Sequence, residues 1–243
     1  YSMLMCQKST GHRNISLGVA AGDNFDGIMT MAKGFAGNVK ISTSDEAYDA
    51  ICELNNVSNG LLASEMSSKS QYIDMEASEV YLNQKATGKM YIIPVYIKGD
   101  KVQIVISVAD DFVPGKDKHE IKGNDKKTEE VKTDKKTAVI IDDSMLVRKI
   151  LKDIMKDSAY EVIAEGTNGL EAVELYKKLN PDLITLDITM PHMDGVEALK
   201  EIMGYKKDAT AIMISAAGQK EKLMEALNIG ATAFITKPFN EAE

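Results

Sequence analysis

Residues 183–195 read LITLDITMPHMDG, and the fold of half the chain is decided in this stretch. Leu183–Leu186 is a short apolar, β-branched run of the kind that forms a strand buried on both faces. Asp187 follows it directly, and Pro191 and Asp194-Gly195 punctuate a loop. Working outward, similar runs occur at Ala138–Ile141, Val162–Ala164, Ala211–Ile214 and Ala233–Ile235. Between them lie amphipathic patterns at Met145–Lys156, Leu170–Leu179, Val196–Met203 and Gln219–Asn228. Strands alternating with helices predict an α/β doubly wound, five-stranded parallel sheet over residues 137–243.

In such sheets ligands sit beyond the carboxyl ends of the strands. Asp142 and Asp143 follow the first strand, Asp187 the third, Ser215 the fourth, and Thr236-Lys237-Pro238 the fifth. Three carboxylates, a hydroxyl and an ammonium therefore converge on one edge. Clustered carboxylates repel unless a cation shares them, and hard oxygen ligands without His or Cys point to Mg²⁺ rather than zinc. An Asp carboxylate can act as a nucleophile toward phosphorus, while a metal, a hydroxyl and a Lys can hold the transferring phosphoryl oxygens. Helix capping by strand-end aspartates would account for one or two of these positions, not for all five.

Taken together, IIDDSMLVRKI (140–150), LITLDITMPHMDG, MISA (213–216) and ITKPF (235–239) resemble the receiver domain of two-component response regulators, close to CheY. The resemblance implies that Asp187 is the phosphoacceptor and that Asp143 and Asp187 bind Mg²⁺. Asp142 would support the ion through water, and the backbone carbonyl of Thr189 would be a further ligand. Ser215 would contact the phosphoryl group, Lys237 would form its ion pair, Phe234 would be the switch aromatic, and Pro238 would follow a cis bond. It also implies a CheA-like histidine kinase as phosphodonor. A fifth helix is expected after Pro238, of which Asn240–Glu243 supplies barely one turn.

Residues 114–136 (PGKDKHEIKGNDKKTEEVKTDKK) are of another kind: 14 of these 23 are Lys, Asp or Glu. Such a segment buries too little to offset its ordering entropy, so 111–136 reads as a charged flexible linker, with a solvated helix as the alternative. It separates an N-terminal domain, 1–110, from the C-terminal domain, 137–243. The formal charge of −8 (29 basic, 37 acidic) divides into −3 for 1–110 (9 minus 12), +1 for the linker (8 minus 7) and −6 for 137–243 (12 minus 18). Neither half is basic, which argues against nucleic acid and against anionic membrane surfaces. No apolar run reaches 18 residues, and no signal peptide pattern opens the chain. Tyr1 stands where a complete chain would carry an initiator Met, as in a fragment. Cys6 and Cys52 make no disulfide framework and suit a reducing cytoplasm. His12, His119 and His192 are too dispersed for a zinc or catalytic site.

The N-terminal domain mixes Ile15–Ala21 as a strand, Phe25–Phe35 as a short helix after a Gly-Asp-Asn turn, and a longer helix from about Asp45 to Met66 opened by a Thr43/Glu46 capping box. Strands are expected near Tyr72–Met75 and Val80–Asn83, and MYIIPVYIK and KVQIVISV flank Gly99-Asp100 as a hairpin. This is an α+β domain with a mostly antiparallel sheet. On the long helix, Ala47, Ala50, Ile51, Leu54, Val57 and Leu61 share one apolar sector, while Asp49, Glu53, Asn56 and Gly60 form a stripe on the opposite, exposed side. Cys52 falls beside that stripe; a reactive thiol there would need a depressed pKa.

Glu-x-x-Asn alone is a weak motif, recurring here as Glu165/Asn168 and Glu225/Asn228. In the setting DAICELNNVSNG (49–60), residues 13–108 resemble the CheC/CheX family of CheY phosphatases, nearer to CheX because a single such motif is found. A departure is MEASEV (75–80), where that family often carries Pro. The resemblance implies that Asn56 orients a water in line with an aspartyl phosphate, that Glu53 pairs with the receiver's Lys, and that the domain can dimerise. A carboxamide suits the task, being uncharged beside a dianion while able to accept a water hydrogen bond. The expectation is a chemotaxis signalling protein that takes a phosphoryl group on Asp187 and hydrolyses aspartyl phosphate of its own receiver or of CheY. The alternative is a phosphorylation-controlled binding or dimerisation module whose N-terminal domain is catalytically silent.

Overall fold

The computed structural model describes residues 3–11, 14–22, 25–69, 71, 73–121 and 135–238. It divides into two compact units, Tyr1–Gly123 and Asn124–Glu243. Expectations for His12, the Asp23-Asn24 turn, Tyr72, the stretch 122–134 and Asn240–Glu243 lie outside the described residues.

The first unit is built on an antiparallel sheet of β1 (Met3–Gly11), β2 (Ile15–Ala21), β3 (Ile73–Met75), β4 (Glu79–Leu82), β5 (Tyr91–Ile97) and β6 (Asp100–Ser107). Its order is β3-β1-β2-β6-β5, with β4 pairing the other end of β1 so that β3 and β4 share one edge. Two helices, α1 (Asp26–Ala36) and α2 (Ser44–Ser67), pack on the sheet and on each other. The expected capping box is present: Thr43 accepts from the Glu46 amide at 3.2 Å, and the Glu46 carboxylate accepts from the Thr43 amide at 3.2 Å. The expected hairpin is present as β5–β6, turning through Lys98-Gly99.

The interior strand β1 had no sequence signal. It is buried on both faces: Leu4 and Cys6 join Tyr81, Ala86 and Val105 in one cluster, while Gln7 reaches α2 on the other side. A strand covered on both faces loses the period-2 alternation, and Met and Cys lack the β-branching that would replace it. Burial pushes the Cys6 thiol up to about 12, with Glu79 adding to the rise, so this thiol is inert packing.

Residues 111–121, expected within the charged linker, are bonded to the first unit. Thr87 and Val113 exchange backbone hydrogen bonds of 2.9 and 3.0 Å, and the His119 amide donates to the Val80 carbonyl at 2.7 Å. The His119 ring stands edge-on to Tyr48 at 5.7 Å, with Nε2 3.1 Å from Asp45 Oδ1. Through these contacts residues 111–121 are part of the first unit. The composition concealed this, because much of the holding is by hydrogen bonds, such as that from the Asp117 amide to Gln84 Oε1 at 3.1 Å, together with Phe112, which packs against the cluster of Leu4, Cys6 and Tyr81.

In the second unit, β7 (Lys136–Ile141), β8 (Tyr160–Gly166), β9 (Leu183–Asp187), β10 (Ala211–Ala216) and β11 (Ala233–Lys237) form a parallel sheet in the order β11-β10-β9-β7-β8. The helices are α3 (Met145–Met155), α4 (Gly169–Leu179), α5 (Gly195–Tyr205) and α6 (Lys220–Ile229). Val139 and Ile141 lie with Leu186 and Met213 in a core shared with α4, α5 and α6; Ile140 and Ile214 pack with Val147 and Leu151 of α3 on the opposite face. Side chains alternate across the sheet, so the apolar residues of β7, β9 and β10 find helices on one face or the other. The order reverses between β7 and β9, whose following helices depart to opposite faces. That switch point opens a crevice at the strand ends.

Candidate functional site

The crevice brings together Asp142, Asp187, Ser215 and Lys237, all nearly inaccessible to solvent, with Asp143 half-buried at its rim. Lys237, the last residue of β11, places Nζ 2.8 Å from Asp187 Oδ1 and 3.1 Å from Asp142 Oδ2. The Lys237-Pro238 bond is cis, as the resemblance implied. The other carboxylate oxygens are held by backbone: Asp187 Oδ2 accepts from the Thr189 amide at 2.8 Å, and Asp142 Oδ1 from the Ser144 amide at 2.9 Å. Ser144 in turn caps α3, accepting from the Val147 amide at 3.2 Å. Both acids are thus fixed in orientation, with one oxygen each turned toward the same ammonium.

Two buried carboxylates share one ammonium here, with Asp143 at the rim, so the charge is incompletely balanced and a divalent cation would relieve it. The donor set is oxygen only, carboxylates with a backbone carbonyl, and fits Mg²⁺ rather than a softer metal.

Three neighbours of this site had no signal in the sequence. Arg148, buried on α3, donates to the Asp142 and Asp143 carbonyls at 2.7 and 3.2 Å, fixing the turn that presents both acids. Gly195 lies directly under the Asp187 carbonyl, so close that a Cβ would stand 1.9 Å from its oxygen. Gln219, at the start of α6, reaches both Ser215 and Thr189. All three act on loop backbone or on loop hydroxyls, and periodicity carries no trace of such contacts. Phe234, the expected switch aromatic, is 47% exposed.

The stripe expected on the exposed side of α2 is not exposed. Asp49, Glu53, Asn56 and Gly60 are all buried, Asn56 to 6% exposure, whereas Leu61 of the expected apolar sector is 59% exposed. α2 lies against both β1 and α1, so both of its faces are covered over Ala47–Gly60. The polar face is compensated by amide pairing. Gln7 on β1 donates from Nε2 to Asn56 Oδ1 and, at 2.7 Å, to the Glu76 carbonyl; its Oε1 accepts from Asn59 at 2.7 Å. Asn55 donates to the Met5 carbonyl at 3.0 Å, and Asn56 Nδ2 faces Glu53 Oε2 at 3.5 Å. A helical wheel assigns polar residues to solvent, but amides that satisfy one another can be buried. Glu53 and Asn56 are therefore adjacent, as their spacing required, within a closed polar cluster.

Residues 138–243 match the response regulator receiver domain family. Through this unit the chain belongs to that family, the class of phosphoacceptor domains that the sheet order and the acidic crevice define. The chain is 52% identical over 101 residues to the chemotaxis protein CheY of Listeria monocytogenes, a match covering 42% of this chain and 85% of that protein. It is 51% identical over 104 residues to CheY of Thermotoga maritima, covering 43% and 87% respectively. Among solved structures, a chain of the CheX-CheY-BeF3-Mg²⁺ complex from Borrelia burgdorferi is 42% identical, covering 44% of this chain and 81% of that one, with a TM-score of 0.42.

Proposed function

We propose that this chain is a chemotaxis-type signalling protein whose receiver accepts a phosphoryl group on Asp187 from a CheA-like histidine kinase or a small acyl phosphate. The observation that carries this reading is the buried Asp142–Lys237–Asp187 arrangement, with one ammonium 2.8 and 3.1 Å from two oriented carboxylates. Asp187 attacks phosphorus through a carboxylate oxygen, and as that O–P bond forms the donor's P–N bond (phosphohistidine) or P–O bond (acyl phosphate) breaks, releasing the imidazole or the carboxylate. Lys237 neutralises charge on the phosphoryl oxygens, and the Ser215 hydroxyl donates to one of them. Mg²⁺, held by Asp142, Asp143, Asp187 and the Thr189 carbonyl, would supply further charge neutralisation at that group. Exposure to acetyl phosphate with Mg²⁺ is expected to add one base- and hydroxylamine-labile phosphoryl group per chain, read by intact mass, and Asp187→Asn is expected to abolish it. Labelling of Asp187→Asn at the wild-type rate would show that the acceptor lies elsewhere.

For the first unit, the adjacency of Glu53 and Asn56 supports hydrolysis of aspartyl phosphate, on this receiver or on a separate CheY, with Asn56 orienting the water and Glu53 pairing with the receiver lysine. That role requires Asn56 to leave Gln7. Burial of the pair favours a second reading, a phosphorylation-controlled binding or dimerisation module without hydrolysis. Asn56→Ala separates them. Under the hydrolytic reading the variant loses phosphate from Asp187 and from added CheY roughly tenfold or more slowly than wild type, as expected for loss of a positioned nucleophile. Equal rates on both substrates would leave the module reading standing.

A further inference from the structure

We infer that Gln219 is a positioning residue that holds the receiver site in its resting arrangement and thereby sets how readily Asp187 takes up a phosphoryl group. The inference rests on the reading of Asp187 given above. Gln219 precedes α6, yet its side chain makes no capping bond to that helix. It turns inward instead and is only 8% exposed, and an amide so buried needs partners. Oε1 accepts from the Ala216 amide at 3.2 Å and stands 3.1 Å from the Ser215 hydroxyl, while Nε2 donates to the Thr189 hydroxyl at 2.5 Å. Gly218, at φ 89°, lets the loop double back so that this side chain lies across it.

One carboxamide thus ties together the two loops that border the phosphoacceptor. Thr189 is two residues beyond Asp187 and its amide orients Asp187 Oδ2. Ser215 has a single hydroxyl proton, which goes either to Gln219 Oε1 or to the Ala216 carbonyl at 2.8 Å. In both cases the proton is committed within its own loop. A phosphoryl group on Asp187 presents anionic acceptors, and Ser215 can donate to them only by giving up Gln219 and Ala216. The contacts of Gln219 with Ser215 therefore belong to the resting state. An interaction made in one of two states biases the equilibrium toward that state, and its removal shifts the population the other way. Loss of one net hydrogen bond corresponds to roughly a three- to tenfold change in such an equilibrium.

The test uses the full chain as wild type, Gln219→Ala, Gln219→Met and Asp187→Asn. Beryllium fluoride with Mg²⁺ is the probe, its affinity measured by titration calorimetry beside the melting temperature without ligand. Gln219→Ala is expected to melt at a lower temperature without ligand and yet to bind the probe about three- to tenfold more tightly. Those two changes run in opposite directions, which a merely structural role would not produce. Gln219→Met keeps the volume and deletes both hydrogen-bonding atoms, so it should show the same tightening even if the alanine variant folds poorly. Binding that is unchanged or weaker in Gln219→Met, with wild type binding normally, overturns the role of Gln219 alone. If wild type takes up no probe, or Asp187→Asn binds it as well as wild type, the reading of Asp187 fails and this inference fails with it.

Discussion

Lys237→Met is expected to slow phosphorylation of Asp187 by roughly a hundredfold and to make the stability of the receiver more dependent on pH than that of the wild type. The first effect follows from removing a preorganised charge at the phosphoryl oxygens. The second comes from the resting state, in which Asp142 and Asp187 are almost wholly buried and share the Lys237 ammonium. Without it two buried carboxylates face each other uncompensated, at a cost of about 3–5 kcal/mol. The pair can relieve this by taking up a proton, which raises a carboxyl pKa in the folded state above its unfolded value of about 4. The folded state then binds more protons than the unfolded one between those two values, so stability falls as pH rises through that window. Urea unfolding of the variant should therefore show a higher midpoint at pH 5 than at pH 8, by more than any change in wild type. Millimolar Mg²⁺ should recover part of the loss at pH 8, because a divalent ion can take over the balancing charge. A variant with the wild-type pH profile and wild-type labelling rate would show that the ammonium does not balance these acids.

The receiver was legible because its strands are short β-branched runs buried on both faces, and because its chemistry stands where those runs stop. Asp142, Asp187, Ser215 and Lys237 could be placed at one edge by topology alone, and the structure brings Lys237 within reach of Asp142 and Asp187, with Ser215 buried at the end of the neighbouring strand. What topology could not supply was the support beneath them. Arg148 bonds to carbonyls, Gln219 to hydroxyls and the Gly195 amide to the Ile188 carbonyl at 3.0 Å, and none of these relations has a period. In the first unit, local chemistry was the part that could be read: the Thr43/Glu46 box and the Lys98-Gly99 turn depend on residues close in sequence. β1 and the environment of Asn56 depend on each other across 49 positions, through Gln7. Without a strand at Met3–Gly11 there was nothing to cover the polar side of α2, and the stripe was naturally assigned to solvent.

Gly195→Ala is expected to disturb Asp187, the proposed phosphoacceptor, from beneath. The new Cβ would stand 1.9 Å from the Asp187 carbonyl oxygen, 2.9 Å from its carbon and 3.2 Å from Ile188 Cα. Backbone must therefore move by about an ångström or more, and neither partner is free to do so. Asp187 ends β9, and the Ile188 amide is bonded to the Ile214 carbonyl of β10 at 3.0 Å. Gly195 opens α5, whose first turn is held by the Asp194/Glu197 capping box and by Ala198 and Leu199 in the core. Overpacking of this kind costs roughly 3 kcal/mol, which lowers the melting temperature of a unit this size by roughly 10 °C. Assayed well below that temperature, the folded variant should still label slowly with acetyl phosphate, because a misplacement of about 1 Å at the attacking carboxylate can cost roughly a hundredfold. Gly204→Ala, near the other end of the same helix, is the contrast. A Cβ there meets nothing within 4 Å, so the substitution should raise stability by roughly 0.5–1 kcal/mol and leave labelling unchanged. If the two alanine variants melt within a degree of each other and label alike, the close approach of Gly195 to Asp187 has no bearing on the site.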